Sequence, residues 1–292
     1  MIKNLIQLLV TTALIIFIGG CNSNTEDLDD FGPESTAEEI NNALVEGMGT
    51  FDYNKMSKGD FIHRVSDQSF TTSNGKQTAL VEESGYNVLE KVATATEITF
   101  TLVREVIDYT SDEVQKNSFE SEFVVSLTNS TEQKLKAAQK LRTRNTRKVL
   151  RQFASALVDS SNQESAKSFE AKVTYHNLST GLKTIDVPSR VQDRTNCGGV
   201  PSCKITVFVV KYDEVVHESE SSAQRYRNEY YFSNDIPYSP FNGELNLFKN
   251  CFTGIGRVEN SRLLLTQCRS VVDFRFGSES SPSNAESIDF QP

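Results

Sequence analysis

The feature that most constrains the fold is an alternation of apolar and polar side chains with a period of two residues. In the run SFEAKVTYHN, from Ser168, apolar and polar residues alternate strictly, and in SFESEFVVSLT, from Ser118, only Val124 breaks the pattern. Since alternate side chains of a strand point to opposite faces, both runs predict strands that bury one face. The predicted inward residues are Phe119, Phe123, Val125, Leu127, Phe169, Ala171, Val173 and Tyr175.

Further apolar runs extend this predicted sheet. The run KITVFVVKY, from Lys204, is apolar on both faces, which is typical of a central strand between two layers. No helix-length pattern separates most of the candidate strands, and this favours antiparallel over parallel pairing. The other candidates lie near residues 61–70, 78–92, 98–109, 225–232 and 263–276.

Two segments have helical patterns instead. The first is TAEEINNALVEGMG, in which Thr36 and Glu39 have the spacing of a capping box. Ile40, Ala43 and Leu44 follow at helical spacing and form its inward stripe. This segment predicts a short helix at the start of the folded chain.

The second segment runs from Ser130 to Ser160, where Ser130 and Gln133 have capping-box spacing. Its apolar stripe consists of Leu135, Ala138, Leu141, Val149, Leu150, Phe153, Ala154 and Leu157. The predicted fold class is therefore α+β: a large, mainly antiparallel curved sheet packed against one long central helix, with a short N-terminal helix. In outline this resembles the half-barrel of periplasmic lipoprotein carriers and outer-membrane lipoprotein receptors, and the analogy rests on architecture alone.

The N-terminus has the pattern of an export signal. Lys3 precedes an apolar run over residues 5–18 that is shorter than the roughly 20 residues needed to span a bilayer. The following sequence, IGGC, resembles the lipobox of bacterial lipoproteins, in which the cysteine is lipidated and becomes the mature N-terminus. The resemblance implies that Cys21 carries this lipid anchor. An uncleaved anchor helix with an incidental cysteine is the alternative.

Several acyl chains on Cys21 would hold the protein at a membrane without a transmembrane helix, since each buried methylene contributes about 0.8 kcal/mol. Asn22 stands where the inner-membrane retention signal of the family has aspartate. The resemblance therefore implies a cell-envelope location at the outer membrane, on its periplasmic or its outer side.

Composition divides the chain into four parts. The sequence predicts a signal peptide over 1–20, a lipidated cysteine with an acidic tether over 21–35, a single globular domain over 36–276, and a Ser-rich disordered tail over 277–292. The tether and tail carry too few apolar residues to form a core.

Four cysteines remain after Cys21, and an even number in an exported protein predicts disulfides. They allow three connectivities, of which Cys197 with Cys203 and Cys251 with Cys268 is favoured because these pairs close the shortest loops. A zinc site fits less well, because the spacing is wrong and no histidine lies near either pair. We expect no metal or other cofactor.

Charge excludes one class of partner and suggests another. The chain has 39 acidic and 30 basic residues, which argues against a nucleic-acid-binding protein. Eight basic residues nevertheless lie between Lys134 and Arg151 with no acidic residue among them. Lys140, Arg144 and Lys148 are candidates for contact with an anionic membrane surface. A solvated face compensated by carboxylates elsewhere is the simpler interpretation.

Catalytic patterns are weak, and we expect no enzyme. His63, His176 and His217 are isolated in the sequence, and no hydrolase, zinc-protease or Walker motif is present. Adjacent carboxylates such as Asp213 and Glu214 are expected by chance in a chain this acidic.

One aromatic segment, NEYYFSNDIPYSPFNGELNLFKNC, has a stronger claim to recognition. Its aromatic residues cluster around prolines, and such a loop can form a ligand or partner contact. The alternative is that the first of them are core residues at a strand end. The candidate contacts are Tyr230, Phe232, Tyr238 and Phe241.

These patterns lead to three hypotheses for function. The first is a non-catalytic envelope lipoprotein that acts as a structural or partner-binding module. The second is a carrier or receptor that holds a lipid or a lipidated protein in a half-barrel groove, and the third is an envelope enzyme. An apolar cavity between helix and sheet would favour the carrier, whereas a filled core would favour the partner-binding module.

Overall fold

The part of the chain that the structure describes forms a ten-stranded antiparallel sheet and two helices. The structure is a computed structural model. It describes residues 31–49, 51–72, 75–110, 113–160, 172–186, 204–219, 222–234, 236, 247–258 and 261–275. The antiparallel sheet and the presence of two helices agree with the predicted α+β class.

The elements follow the chain from β1 to β10. Their bounds are β1 (Glu34–Ser35), α1 (Ala37–Gly47), β2 (Phe61–Thr72), β3 (Gly75–Ala93), β4 (Glu97–Asp108), β5 (Gln115–Ser126), α2 (Ser130–Ser160), β6 (Lys172–Asp186), β7 (Lys204–Ser219), β8 (Ser222–Phe232), β9 (Leu247–Val258) and β10 (Ser261–Arg275). A short 3-10 helix, Tyr53–Lys55, lies between α1 and β2.

The order of strands across the sheet is β1-β6-β7-β8-β9-β10-β2-β3-β4-β5. Two meanders, β2 to β5 and β6 to β10, therefore join where β10 pairs with β2. Strands β4 and β5 lie at one end of this order and β7 lies near the other, yet Phe100, Phe123 and Val207 share one core cluster. The sheet therefore curls so that its two halves approach each other.

Strand β7 is buried on both faces, as its apolar run predicts. Val207 belongs to the core between the two halves of the sheet, whereas Val210 and Tyr212 belong to the core beneath the helices. All three side chains are at most 1% exposed. Burial of one large apolar side chain contributes about 1.5–3 kcal/mol to the free energy of unfolding. Side chains on both faces of β7 therefore stabilise the fold, and the strand connects the two cores.

Helix α1 begins with the predicted capping box. The hydroxyl of Thr36 accepts a hydrogen bond from the backbone N–H of Glu39 at 3.1 Å, and Oε2 of Glu39 accepts one from the backbone N–H of Thr36 at 2.6 Å. Ile40, Ala43 and Leu44 are buried against α2 and the sheet. The sequence therefore predicted this helix and its inward face correctly.

Helix α2 has the predicted length but covers a limited part of the sheet, packing mainly on α1 and β7. Ala138, Leu141 and Val149 of the predicted stripe are buried. Leu135 is 39% exposed and Ala137 is buried instead, so the stripe is rotated by part of a turn at its start. The other predicted stripe residues Phe153, Ala154 and Leu157 belong to the end of α2, where the structure does not describe side chains.

Several strand predictions need correction. Strand β9 was not among the predicted strands, and β9 and β10 run as an antiparallel pair through most of the sequence between Cys251 and Cys268. Phe119 is 52% exposed and Leu127 is 45% exposed, while Phe123 and Val125 between them are buried. The reason is position: β5 is the last strand of the sheet, so its ends extend beyond the core.

The folded part begins before the predicted boundary at Thr36. Ser35 of β1 pairs with Tyr175 of β6, and the ring centroid of Phe31 lies 5.5 Å from that of His176 and 6.3 Å from that of His217. Glu34 and Ser35 therefore belong to the sheet, and Phe31 lies against its histidines. The sequence did not predict this strand for two reasons. A two-residue strand is too short to show an alternating pattern, and the acidic composition of the segment indicated a tether.

Cys251 and Cys268 form the predicted disulfide. They lie directly opposite each other in the pairing of β9 with β10, so the register of the two strands places their side chains next to each other. Cys197 and Cys203 lie outside the described residues, so their pairing stays a prediction.

We expect the double variant Cys251→Ala, Cys268→Ala to lose up to about 3 kcal/mol of unfolding free energy, because the bond constrains the unfolded chain between two cysteines 17 residues apart. Urea unfolding followed by circular dichroism measures the loss. The single variants should match the double variant, since either one removes the bond. Equal stability of the native chain and all three variants would contradict a formed disulfide.

Candidate functional site

One face of α2 lines a cavity of about 790 Å³. We call this the basic cavity, because six of its described lining residues are lysine or arginine and none of them is acidic. Helical spacing of three and four residues brings these side chains to one face. The described lining residues are Lys136, Gln139, Lys140, Thr143, Arg144, Arg147, Lys148 and Arg151.

Most of the cationic side chains of the basic cavity are exposed, but Lys148 is half-buried. Its Nζ donates a hydrogen bond to Oε1 of Gln267 at 2.7 Å and lies 4.7 Å from the ring centroid of Phe252. Lys148 is therefore held against β9 and β10. This corrects the sequence-based expectation that it lies on a fully solvated face with Lys140 and Arg144.

The surroundings of Lys148 disfavour its charge. Burial lowers the pKa of its amine to about 8, and repulsion from Arg144 and Arg269 adds to this effect. Most Lys148 side chains are nevertheless protonated at neutral pH. An anion in the basic cavity would offset this repulsion and would raise the pKa of Lys148.

Two carboxylates form ion pairs with basic residues in or next to the basic cavity. Oε1 of Glu132 lies 2.6 Å from Nζ of Lys136, one turn earlier on α2, and Glu82 pairs with Arg269 on the sheet. Both side chains of the Lys136–Glu132 pair are well exposed, so it contributes little stability. The solvated-face interpretation thus applies to Lys136, whereas the cations nearer Lys148 share a lined cavity.

A second group of polar side chains fixes the opposite face of α2 to the sheet. Nδ2 of Asn145 donates to Oδ1 of Asn228 at 2.8 Å, and Oγ1 of Thr146 lies 3.1 Å from Oε1 of Glu214. We call the whole set the buried polar cluster. Its members are Asn41, Arg142, Asn145, Thr146, Tyr175, Tyr212, Glu214, Asn228 and Tyr230.

Arg142 extends this cluster to α1 and β6. Its Nε donates to Oδ1 of Asn41 at 3.1 Å, and its Nη1 donates to the Tyr175 hydroxyl at 3.0 Å. The guanidinium also lies 5.6 Å from the Tyr175 ring centroid. Because these directional contacts hold one face of α2 down, they set the rotation of the helix and leave the basic face outward.

Glu214 is the most unusual member of the buried polar cluster. Its side chain is fully buried, and burial raises its pKa to about 7 despite the opposing influence of Thr146, Arg142 and Asn228. Among the described residues, Oε2 of Glu214, the Tyr212 hydroxyl and Nδ2 of Asn228 have no hydrogen bond of standard geometry. Sequence reasoning missed this cluster, since its members are far apart in the chain.

The structure separates the predicted aromatic contacts. Tyr230 and Phe232 are each 1% exposed and stack with ring centroids 6.2 Å apart. They are core residues here and not exposed contacts, which is the alternative that the sequence left open. Tyr238 and Phe241 lie outside the described residues, as does Cys21.

The three histidines are less isolated than the sequence suggested. His176 and His217 both lie within hydrogen-bonding distance of the Thr174 hydroxyl, at 2.9 and 2.8 Å, and His63 lies 3.1 Å from Oε2 of Glu83. Within the described part of the chain, no group of three or more His, Cys, Asp or Glu residues could hold a metal ion. No helix there is long and apolar enough to cross a membrane.

Comparisons with known proteins give only distant likenesses. No protein-family model matches the chain, and no curated protein matches it either. A Bacteroides fragilis structure described as an exported protein with a YmcC-like fold is 10% identical, with 75% of this chain and 97% of that chain covered and a TM-score of 0.32.

Two further solved structures give similar or lower scores. A Parabacteroides distasonis protein described as a lipoprotein is 8% identical, with 78% of this chain and 100% of that chain covered and a TM-score of 0.31. A Vibrio parahaemolyticus domain described as an outer-membrane lipoprotein-sorting protein domain is 7% identical, with coverages of 86% and 97% and a TM-score of 0.17. Scores this low carry no argument about this chain.

We expect Glu214→Gln to make stability less dependent on pH. The pKa of Glu214 is about 7 in the folded chain against an ordinary value of 4.5, so its carboxyl destabilises the native fold progressively as pH rises from about 4.5 to 7. The full penalty above pH 7 is about 3 kcal/mol. The variant should therefore gain stability at pH 8 and gain none at pH 4.

Urea unfolding of both proteins at a series of pH values measures this difference. Glu122→Gln is a suitable comparison, because it removes an exposed carboxylate from β5 and leaves Glu214 in place. An equal stability gap between native and Glu214→Gln protein at pH 4 and pH 8 would show that Glu214 titrates normally.

Proposed function

We propose that this protein is a non-catalytic cell-envelope lipoprotein that acts as a partner-binding module, and that the basic cavity is its binding site for an anionic partner. The observation that carries the proposal is a cavity whose described lining has six cationic side chains and no acidic one. A cavity lined by one sign of charge attracts ions of the opposite sign and raises their local concentration. An anionic group would therefore bind there through attraction to several lining cations at once.

The packing of the described residues between the helices and the sheet supports a binding module over a lipid carrier. A carrier needs an apolar cavity for acyl chains, whereas the described side chains in this layer form one buried cluster. Nine side chains of this cluster are at most 3% exposed: Ile40, Leu44, Ala138, Leu141, Val210, Tyr212, Tyr230, Phe232 and Leu247. The described cavity is lined by charged and polar residues instead.

The envelope location rests on the sequence. Residues 1–20 have the pattern of a signal peptide, and IGGC resembles the lipobox that directs lipidation of Cys21. We propose that the anchor holds the protein at the outer membrane. The absence of a catalytic role is part of the proposal and is supported by the lack of a catalytic motif in the sequence.

We expect the full-length protein in neutral detergent to bind a short inorganic polyphosphate, with an affinity that falls as salt concentration rises. The variant Lys140→Gln, Arg144→Gln should bind about thirtyfold more weakly, because each of the two lost charge-assisted contacts contributes about 1 kcal/mol. Isothermal titration calorimetry measures both affinities.

A matched control removes the same charge elsewhere. Lys58 and Lys183 are exposed and lie outside the basic cavity, so Lys58→Gln, Lys183→Gln should leave the affinity nearly unchanged. Equal weakening by the two double variants would mean that only net charge matters. That result would refute the basic cavity as the binding site.

A further inference from the structure

The structure fixes where the N-terminal segment joins the fold. Gly32 has a φ of 71°, and a side chain there would meet Oδ1 of Asn177 at 2.0 Å. The backbone N–H of Asn177 donates to the carbonyl of Pro33 at 3.0 Å, and Phe31 packs beside His176. The first described residues are therefore held tightly against β6.

This junction lies beside the middle of α2. Ser35 of β1 is paired with Tyr175 of β6, and the Tyr175 hydroxyl accepts a hydrogen bond from Arg142 of α2. The cavity-lining residues run from Lys136 to Arg151 along the face of α2 opposite Arg142, so the junction and the basic cavity are separated by about the width of one helix, roughly 10 Å. Since a helix rises about 1.5 Å per residue, this lining face is roughly 22 Å long.

The covalent chain limits how far Cys21 can lie from this point. Ten peptide units join Cys21 to Phe31, and they span at most about 36 Å when fully extended. If Cys21 is lipidated, as the proposed function requires, the junction beside α2 must stay within that distance of the membrane surface. The basic cavity is then within reach of the same membrane.

The cavity has the donors that phosphate groups need. Arg144, Arg147 and Arg151 carry guanidinium groups, which bind phosphate oxygens through paired N–H donors. Lys148 is held at the inner side by Gln267 and Phe252, so its ammonium is already positioned. Lys140 adds a cation at the exposed side.

We propose that the basic cavity binds the phosphate group of anionic lipid headgroups in the membrane that carries the Cys21 anchor, so that α2 faces that membrane. This proposal rests on the proposed function and names its anionic partner. A lipid is favoured over free phosphate because the anchor keeps headgroups permanently close to the cavity, whereas a soluble ion must compete from dilute solution.

The test uses the full-length lipidated protein reconstituted into vesicles. One set of vesicles contains phosphatidylcholine alone, and the other also contains phosphatidylglycerol. A membrane-impermeant acylating reagent labels exposed lysines, and mass spectrometry gives the labelling rate of Lys140 relative to Lys58 and Lys183. We expect phosphatidylglycerol to slow labelling of Lys140 about fivefold without slowing the two reference lysines, and high salt to remove the protection.

A third set of samples distinguishes the two sources of phosphate. Inorganic phosphate added to phosphatidylcholine vesicles should not protect Lys140, and equal protection there would overturn the lipid assignment. Arg144→Gln, Arg147→Gln should abolish protection by phosphatidylglycerol, whereas Lys58→Gln should retain it. Uniform protection of all three lysines would also overturn the proposal.

The outcomes also separate this proposal from the proposed function. If the protein binds polyphosphate at the basic cavity in detergent but phosphatidylglycerol does not protect Lys140, the lipid assignment fails and the anionic binding site stands. If neither binding nor protection occurs, both fail. Circular dichroism of each variant confirms that the loss is not due to unfolding.

Discussion

The attachment of α2 to the sheet is the interaction on which the candidate site depends. A helix with basic residues on several sides has no defined binding face until its rotation is fixed. Asn145 and Thr146 fix it through Asn228 and Glu214, and directional hydrogen bonds of this kind specify orientation in a way that apolar packing alone does not. The basic cavity is therefore a consequence of the buried polar cluster on the opposite side of the same helix.

The sheet provides the platform for this attachment. Strand β7 is buried on both faces, so it joins the core of the curled sheet to the layer that holds the helices. Both described core clusters consist of buried side chains, and the candidate site lies on the outer, charged face of α2. Function in this molecule is thus proposed for the surface of α2 and not for the interior of the curled sheet.

The sequence predicted what local patterns determine and missed what distant contacts determine. Alternation located most strands, and the Thr36–Glu39 capping box located α1, because these signals lie within a few residues. Strand β9 was not among the predicted strands, because Gly254 and Gly256 interrupt its apolar pattern. The buried polar cluster joins Thr146 to Glu214 across 68 residues, and no local pattern reports such a contact. For the same reason the basic run could be seen, but its lined cavity and the packing of Lys148 could not.

The most direct test of the central claim is photo-crosslinking in living cells from a residue that lines the basic cavity. A photoreactive benzoylphenylalanine replaces Gln139, which is exposed in the cavity, or Leu182, which is 76% exposed on β6 outside it. The account predicts adducts from position 139 whose mass and phosphorus content identify an anionic lipid, and none from position 182. Absence of an adduct from position 139, or the same adducts from both positions, would contradict it.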